Sequence, residues 1–299
     1  MLTAIIGRKT TRAVLQVIAA ALLFSTGGAA IKTAAFSGMQ VASIRSGIAA
    51  AGLLFWIRGR VAWSWPTLAI GVVYAATLTL FVTSTKLTTA ANAIFLQSTA
   101  PLYIVILAPL LLGERFRSRD LVFLAAVGAG LGLCFAGGPE ATVTAPDPAT
   151  GNLLGVICSL TWAFTLMGLR WGHRYGERIG ISAVIVGNAM AFAVGLPFLW
   201  PLPSASAGEW ATMAYLGVFQ IAVAYIFLTS AIAHLPALDV SLLLLLEPVL
   251  NPIWTWLVRG EEPGAWTVAG GAIIIVATAG KAIYDSRISR VATKGTKTY

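Results

Sequence analysis

Residues 98–114, STAPLYIVILAPLLLGE, and residues 245–261, LLEPVLNPIWTWLVRGE, lie 147 positions apart and align without a gap. In this register Pro101 falls on Pro248, Gly113 on Gly260 and Glu114 on Glu261, while Ala90, Thr83 and Asn92 fall on Ala237, Ser230 and Asp239. Nearer the start of each half, an offset of 138 sets Phe24 on Trp162 and Lys32 on Arg170. Identity is low. What repeats is the position of proline and of Gly-Glu along an apolar helix, which reads as one unit present twice.

Those two stretches are themselves strongly apolar, and so is the chain around them. Of 299 residues, 58% are hydrophobic and 10% charged, with mean hydropathy +0.84. Soluble domains carry about 25% charged residues, so the charge here is too sparse to cover a soluble globule. A bilayer core needs about 20 apolar residues per helix. Runs of that kind fall at 13–31, 39–57, 66–85, 89–112, 120–137, 152–171, 180–200, 210–230, 237–258 and 265–283. The first run follows Arg8, Lys9 and Arg12 like a signal peptide, but it is long enough to span and is read as a retained helix.

Ten spans put both termini on one side. If that side is the cytoplasm, sixteen of the 20 Lys and Arg residues lie inside and only Lys32, Lys86 and Arg259 outside, with Arg45 within a span. This bias is the positive-inside rule, and a missed helix would scramble it. The fold expected is therefore all-α and integral to the membrane: ten transmembrane helices as two inverted five-helix repeats. Five is odd, so the copies must enter the bilayer from opposite faces. Residues 1–138 form the first repeat, 139–151 a periplasmic linker rich in Gly, Pro, Thr and acid, and 152–299 the second repeat with a basic cytoplasmic tail. Inverted repeats are the usual plan of secondary transporters, with the substrate near the midplane where the repeats meet.

The ten-span plan, the duplicated unit and the P…LGE and P…RGE ends of spans four and nine resemble the drug/metabolite transporter superfamily, and within it the EamA-type carriers. The first helices of the halves, LLFSTGGAAIK and LTWAFTLMGLRW, resemble the family's aromatic-then-cationic opening, with Phe24 where Trp is usual. The resemblance covers roughly 13–283. It implies an inner-membrane carrier that exports amino acids, aromatic ones favoured, or related metabolites and drugs.

Glu247 is the most informative residue. It sits near the centre of the ninth span, where a carboxylate costs several kcal/mol unless it faces water, is protonated or is paired. The functional reading is a substrate ammonium or a carried proton; the structural one is a plug for carbonyls freed by Pro248. Its repeat partner is Ala100, so the feature is asymmetric. Asn251, one turn on, and Trp254 share its face. Gln97, Ser98 and Tyr103 on span four, Tyr74 on span three, and Gln220 and Tyr225 on span eight are the other expected substrate contacts. Trp162 adds a ring able to stack on an aromatic or cationic solute. Pro101 and Pro248 are the expected gating positions, since proline weakens and bends a helix. Most hydroxyls of span three, Thr77 among them, read as packing groups bonded to their own helix.

Arg45 is expected to snorkel to the outer interface, with pairing to Glu247 or to a substrate carboxylate as the functional alternative. Lys32 and Lys86 read as markers of the outer interface, and Glu114 and Glu261 as chain-turning residues. Cys134 and Cys158 lack metal or redox spacing and read as buried packing. No cofactor or metal is implied. Enzyme motifs such as HExxH and GxSxG are absent, and the scattered positive charge fits membrane topology, not nucleic acid. A channel is the weaker alternative, since no filter segment is visible. The partners expected are a small-molecule substrate and the bilayer.

Overall fold

The structure is a computed structural model that describes residues 2–112, 120–136, 141–232, 243–244, 246–277 and 279–280. Gly113, Glu114, His234, Pro236, Asp239 and Ser241 lie outside these, as does the tail. Among the described residues the chain is helical: α1 Leu2–Ser25, α2 Gly27–Thr33, α3 Gly38–Trp56, α4 Trp65–Leu87, α5 Ala90–Gln97, α6 Ala100–Leu112, α7 Asp120–Ala136, α8 Pro148–Gly172, α9 Ile179–Gly195, α10 Ala207–Tyr215, a π-helical segment Leu216–Val223, α11 Ala224–Ile232, α12 Leu246–Arg259 and α13 Ala265–Ala277.

Six stretches are long and apolar enough to cross a bilayer: Thr11–Thr33, Gly38–Trp56, Trp65–Leu87, Pro148–Gly172, Ile179–Phe198 and Ala207–Ala231. About half of each is buried. The other half carries large exposed apolar side chains such as Leu15, Val72, Val194 and Phe219, which only lipid can cover. Trp56, Trp63, Trp65 and Trp200 stand exposed at helix ends, as an interfacial aromatic belt requires. The chain is a multi-pass membrane protein.

Helix α4 is the hub, packing on α8 and α9; α3 packs on α9 and the π segment, α1 on α11, and α12 on α1 and α2. Glycines let these helices close up. A Cβ on Gly187 of α9 would lie 2.7 Å from the Gly71 carbonyl of α4, and one on Gly151 of α8 would lie 2.6 Å from the Thr88 nitrogen. Three apolar clusters result, two of them large. One gathers Val17, Leu53, Ile70, Leu169, Ile185 and Leu228. The other gathers Ile31, Phe36, Phe81, Ile94, Met213 and Leu216.

Two expected spans prove to be interrupted. Span one breaks at Thr26, whose hydroxyl donates to Leu23 O (2.7 Å) and meets the Tyr215 hydroxyl at 2.8 Å. Span four breaks at Ser98–Thr99, just before Pro101 in the first turn of α6. Proline at i excludes the carbonyl at i−4 from the helix ladder. Here that carbonyl belongs to Gln97, and it accepts instead from the Ser159 hydroxyl of α8 (3.3 Å), which also meets the Thr99 hydroxyl at 2.8 Å. A neighbouring helix thus satisfies what the break releases, the condition for irregular backbone at membrane depth.

The chain segments read as one side of the membrane also meet at one end of the bundle. Lys32 of α2 donates to the Thr88 carbonyl (2.6 Å) before α5 and to the Thr144 carbonyl between α7 and α8. It lies 3.3 Å from Glu261 Oε2, just beyond α12, with both side chains buried. Glu261 Oε1 accepts from the backbone N–H of Ala90 (2.6 Å). Lys32 is therefore not an interface marker but half of a buried ion pair. It is drawn inward because Glu261 and two carbonyls replace the water it loses. The turn itself belongs to Gly260, at φ 64°. Lys86 donates to Ala34 O (2.5 Å) at the same end.

Candidate functional site

Where these apolar clusters meet lies a cavity lined by Phe24, Arg45, Tyr74, Thr77, Leu78, Phe81, Gln97, Trp162, Gln220, Ile221, Tyr225 and Glu247. The cavity is small, about 50 Å³ in volume. That is room for a few waters, one needing some 10–15 Å³. A bound metabolite therefore requires the walls to part.

Six of the nine residues expected to contact substrate meet on this cavity: Glu247, Gln97, Tyr74, Trp162, Gln220 and Tyr225. Three do not line it. Asn251 is fully buried against α2, where a Cβ on Gly28 would come within 2.1 Å of its Oδ1. Ser98 donates to Ile94 O (2.7 Å) at the end of α5. Tyr103 packs with Ala100, Ala163, Met167 and Trp162. Of the two expected gating prolines, Pro101 follows the break in span four, and Pro248 is buried next to Glu247 in α12.

The walls divide into an aromatic and a polar side. Tyr225 stands edge-on between Phe24 and Tyr74, at ring-centroid distances of 5.2 and 5.1 Å, a favourable arrangement for aromatic quadrupoles. Opposing these rings in character are Arg45, Gln220, Gln97 and Glu247. Gln97 reaches Cys158 Sγ (3.7 Å), and Cys158 is buried and free, as a packing residue should be.

Arg45 overturns the snorkelling expectation. It is 1% exposed, on the cavity wall, with Nη1 donating to Gln220 Oε1 (3.2 Å) and Nη2 to Leu78 O (3.4 Å). The reason lies in a segment that periodicity did not reveal. The π-helical turn Leu216–Val223 brings Gln220 onto the face that meets α3. Gly217 lets it approach closely: a Cβ there would lie 2.8 Å from the Arg45 carbonyl and 2.6 Å from Ile48 Cβ. On the other side, a Cβ on Gly27 would lie 2.8 Å from Gln220 Nε2. Gln220 is thus clamped between the break in the first span and Arg45. Isolated π turns of this kind recur at functional sites.

Thr77 also belongs to the cavity. Its hydroxyl does bond its own helix, donating to Val73 O (3.0 Å), and meets Thr165 at 3.2 Å. Packing and lining are both true of it. Phe24, Arg45 and Thr77 come from the first half of the chain with Tyr74 and Gln97; Trp162, Gln220, Tyr225 and Glu247 come from the second.

That division matches the comparison with known families, because one family model fits the chain twice, over residues 11–136 and 149–280. The chain belongs to the EamA-like transporter family. Each EamA-like copy supplies part of the cavity wall. Among curated proteins, the chain is 29% identical over 189 residues to the pseudopaline exporter CntI of Pseudomonas aeruginosa strain UCBPP-PA14, covering 62% of this chain and 64% of that one. The pseudopaline exporter CntI of strain PAO1 matches at the same 29% identity over 189 residues. The match thus spans somewhat less than two thirds of these relatives' length. A protein of known crystal structure superposes with a TM-score of 0.64 at 22% identity, covering 93% of this chain and 99% of its own; this likeness is one of fold alone.

Proposed function

We propose that the protein is a secondary transporter that exports small metabolites across the inner membrane by alternating access, with amino acids, aromatic ones favoured, as the substrates. The observation that carries this reading is the cavity. It is walled by both family copies, combines aromatic rings with Arg45 and Glu247, and is too tight to admit a metabolite without a change of conformation. Ten spans with cytoplasmic termini and oppositely inserted repeats are the topology this reading uses, and the basic-residue bias supports it. Export is supported by the likeness to the pseudopaline exporter CntI of Pseudomonas aeruginosa.

In such a cycle the end of the bundle holding Lys32, Glu261, Thr88 and Thr144 is the periplasmic gate, shut in this conformation. Opening it separates α2 from the α12 terminus and costs the ion pair, while the opposite end closes. Pro101 and Pro248 are the positions about which spans four and nine rock.

Flux into proteoliposomes tests this reading, with labelled phenylalanine and leucine and wild type beside Glu247→Gln. Saturable, counterflow-competent flux that the substitution alters is the expected result. Folded protein that moves neither amino acid refutes the substrate assignment and favours another metabolite or a drug as cargo. Non-saturable flux refutes alternating access and favours a channel.

A further inference from the structure

Burying a guanidinium is costly unless an anion or a full set of acceptors replaces its water. Arg45 is 99% removed from solvent, and neither condition is met. No carboxylate of the described residues lies within 4 Å of it. Of its five N–H donors, one meets Gln220 and one meets Leu78 O at the long distance of 3.4 Å, while Nε is buried with no partner. The unmatched charge faces a cavity, not a packed wall, and the π turn with Gly217 and Gly27 holds Gln220 so as to fix the guanidinium there. Glu247 lines the same cavity without an ion pair to Arg45.

We infer that Arg45 is the carboxylate-binding residue of the transport site, that Glu247 receives the amine, and that the substrate is therefore a zwitterion bearing both groups. This deepens the transporter reading and rests on it. A guanidinium fork binds a carboxylate through two parallel hydrogen bonds, and the unpartnered Nε together with the underused Nη groups offers such a fork. The side chain of the substrate then lies along Phe24, Tyr74, Tyr225 and Trp162. Gln220 is a positioning residue that aims the fork. In the empty site Arg45 and Glu247 form no ion pair; a zwitterion between them gives the guanidinium its anion and the Glu247 carboxyl its amine at once. A solute with only one of the groups leaves the other residue without its partner, so the site selects by pairs.

The test uses matched probes on the purified full chain in lipid nanodiscs, read by ligand-dependent thermal stabilisation and by competition with labelled phenylalanine flux. The probes are phenylalanine, phenethylamine (carboxylate removed) and 3-phenylpropionate (amine removed), with leucine, 3-methylbutylamine and 4-methylpentanoate as the aliphatic set. The parent amino acids should bind roughly ten- to a hundredfold more tightly than either truncated probe, as expected for loss of a charge-assisted hydrogen-bonded pair. Arg45→Gln should abolish the advantage of the amino acid over the amine while leaving amine binding in place, and Arg45→Lys should restore it only in part. Wild-type selectivity among the probes needs no variant, so a misfolded Arg45 substitution does not rescue the idea. Equal affinity for phenethylamine and phenylalanine overturns it, as does phenylalanine flux indifferent to Arg45→Gln. Saturation of the Arg45 response by chloride alone also overturns it, making the site a general anion trap. Failure of wild-type protein to bind or move any probe overturns the transporter's amino-acid assignment as well; loss of pair selectivity with flux intact overturns the inference alone.

Discussion

Replacing Lys32 by Met removes one partner of the buried ion pair at one end of the bundle. In the native protein its Nζ donates to Thr88 O at 2.6 Å and to Thr144 O, and lies 3.3 Å from Glu261 Oε2. The Glu261 side chain is only 5% exposed, and Oε2 has no hydrogen bond to fall back on. Removing one partner of a buried pair costs about 3–5 kcal/mol, because the remaining charge is stranded. Lys32→Met should fall in that range. Glu261→Gln should cost less, since the new amide oxygen still accepts from Ala90 N–H and Lys32 keeps two carbonyls. The double variant should recover part of the loss, with a coupling energy of roughly 1–3 kcal/mol. Denaturant unfolding in mixed micelles, followed by tryptophan fluorescence, measures all four corners of the cycle. A Lys32→Met penalty below 1 kcal/mol, or strictly additive single variants, would refute the assignment of a desolvated pair. If the pair is also the gate, the double variant should show faster outward opening, seen as raised counterflow at unchanged substrate selectivity.

Three further perturbations follow from contacts in the same core. Gly217→Ala should cost about 1–3 kcal/mol by overpacking, because its Cβ meets Ile48 and the Arg45 backbone; thermal melting checks this, and phenylalanine affinity should fall with it as Gln220 is displaced. Gly28→Ala should be similarly damaging through the clash with Asn251 Oδ1, and Asn251→Ala should relieve it in the double variant; a rescue shows that Asn251 acts through packing. Asp147, exposed at the start of α8, is held below the ordinary aspartate range by the hydroxyl and backbone N–H of Thr150. Since the unfolded chain takes up the proton first, this cap is complete above roughly pH 4 and is lost as pH falls through the lowered native value. The protection of the Thr150 amide, its exchange rate corrected for the intrinsic pH dependence, should fall on acidification in the wild type, and Asp147→Asn should flatten that fall.

The cavity was partly legible in the sequence. Polar or aromatic groups such as Glu247, Gln97, Gln220, Tyr74, Tyr225 and Trp162 in apolar runs must find a polar or roomy place, and burial in lipid leaves few such places. They meet in one cavity. Asn251 and Ser98 satisfy the same sequence criterion, yet Asn251 is packed on Gly28 and Ser98 is bonded to its own helix. Spacing along one helix cannot separate these cases, because it does not say which neighbour covers which face. Arg45 was misplaced for a related reason. Snorkelling is the cheap solution for an isolated helix, and the alternative depends on a glutamine 175 residues away.

Composition, hydrophobic run length and the placement of Lys and Arg by themselves determined that this is a multi-pass helical membrane protein with a duplicated unit. Those properties follow from the solvent: a bilayer accepts only segments that satisfy their own backbone and hide their charge. Tertiary structure alone decided where the helices break, that residues 216–223 form a π turn, that Lys32 and Glu261 pair, and that Arg45 faces inward. Each of these depends on a partner from a distant part of the chain. Ser159 supplies the donor that satisfies the Gln97 carbonyl at the Pro101 break, and Gly217 and Gly27 leave the space that Gln220 occupies. Local sequence specifies that such groups need partners; only the packed bundle specifies which partners they find.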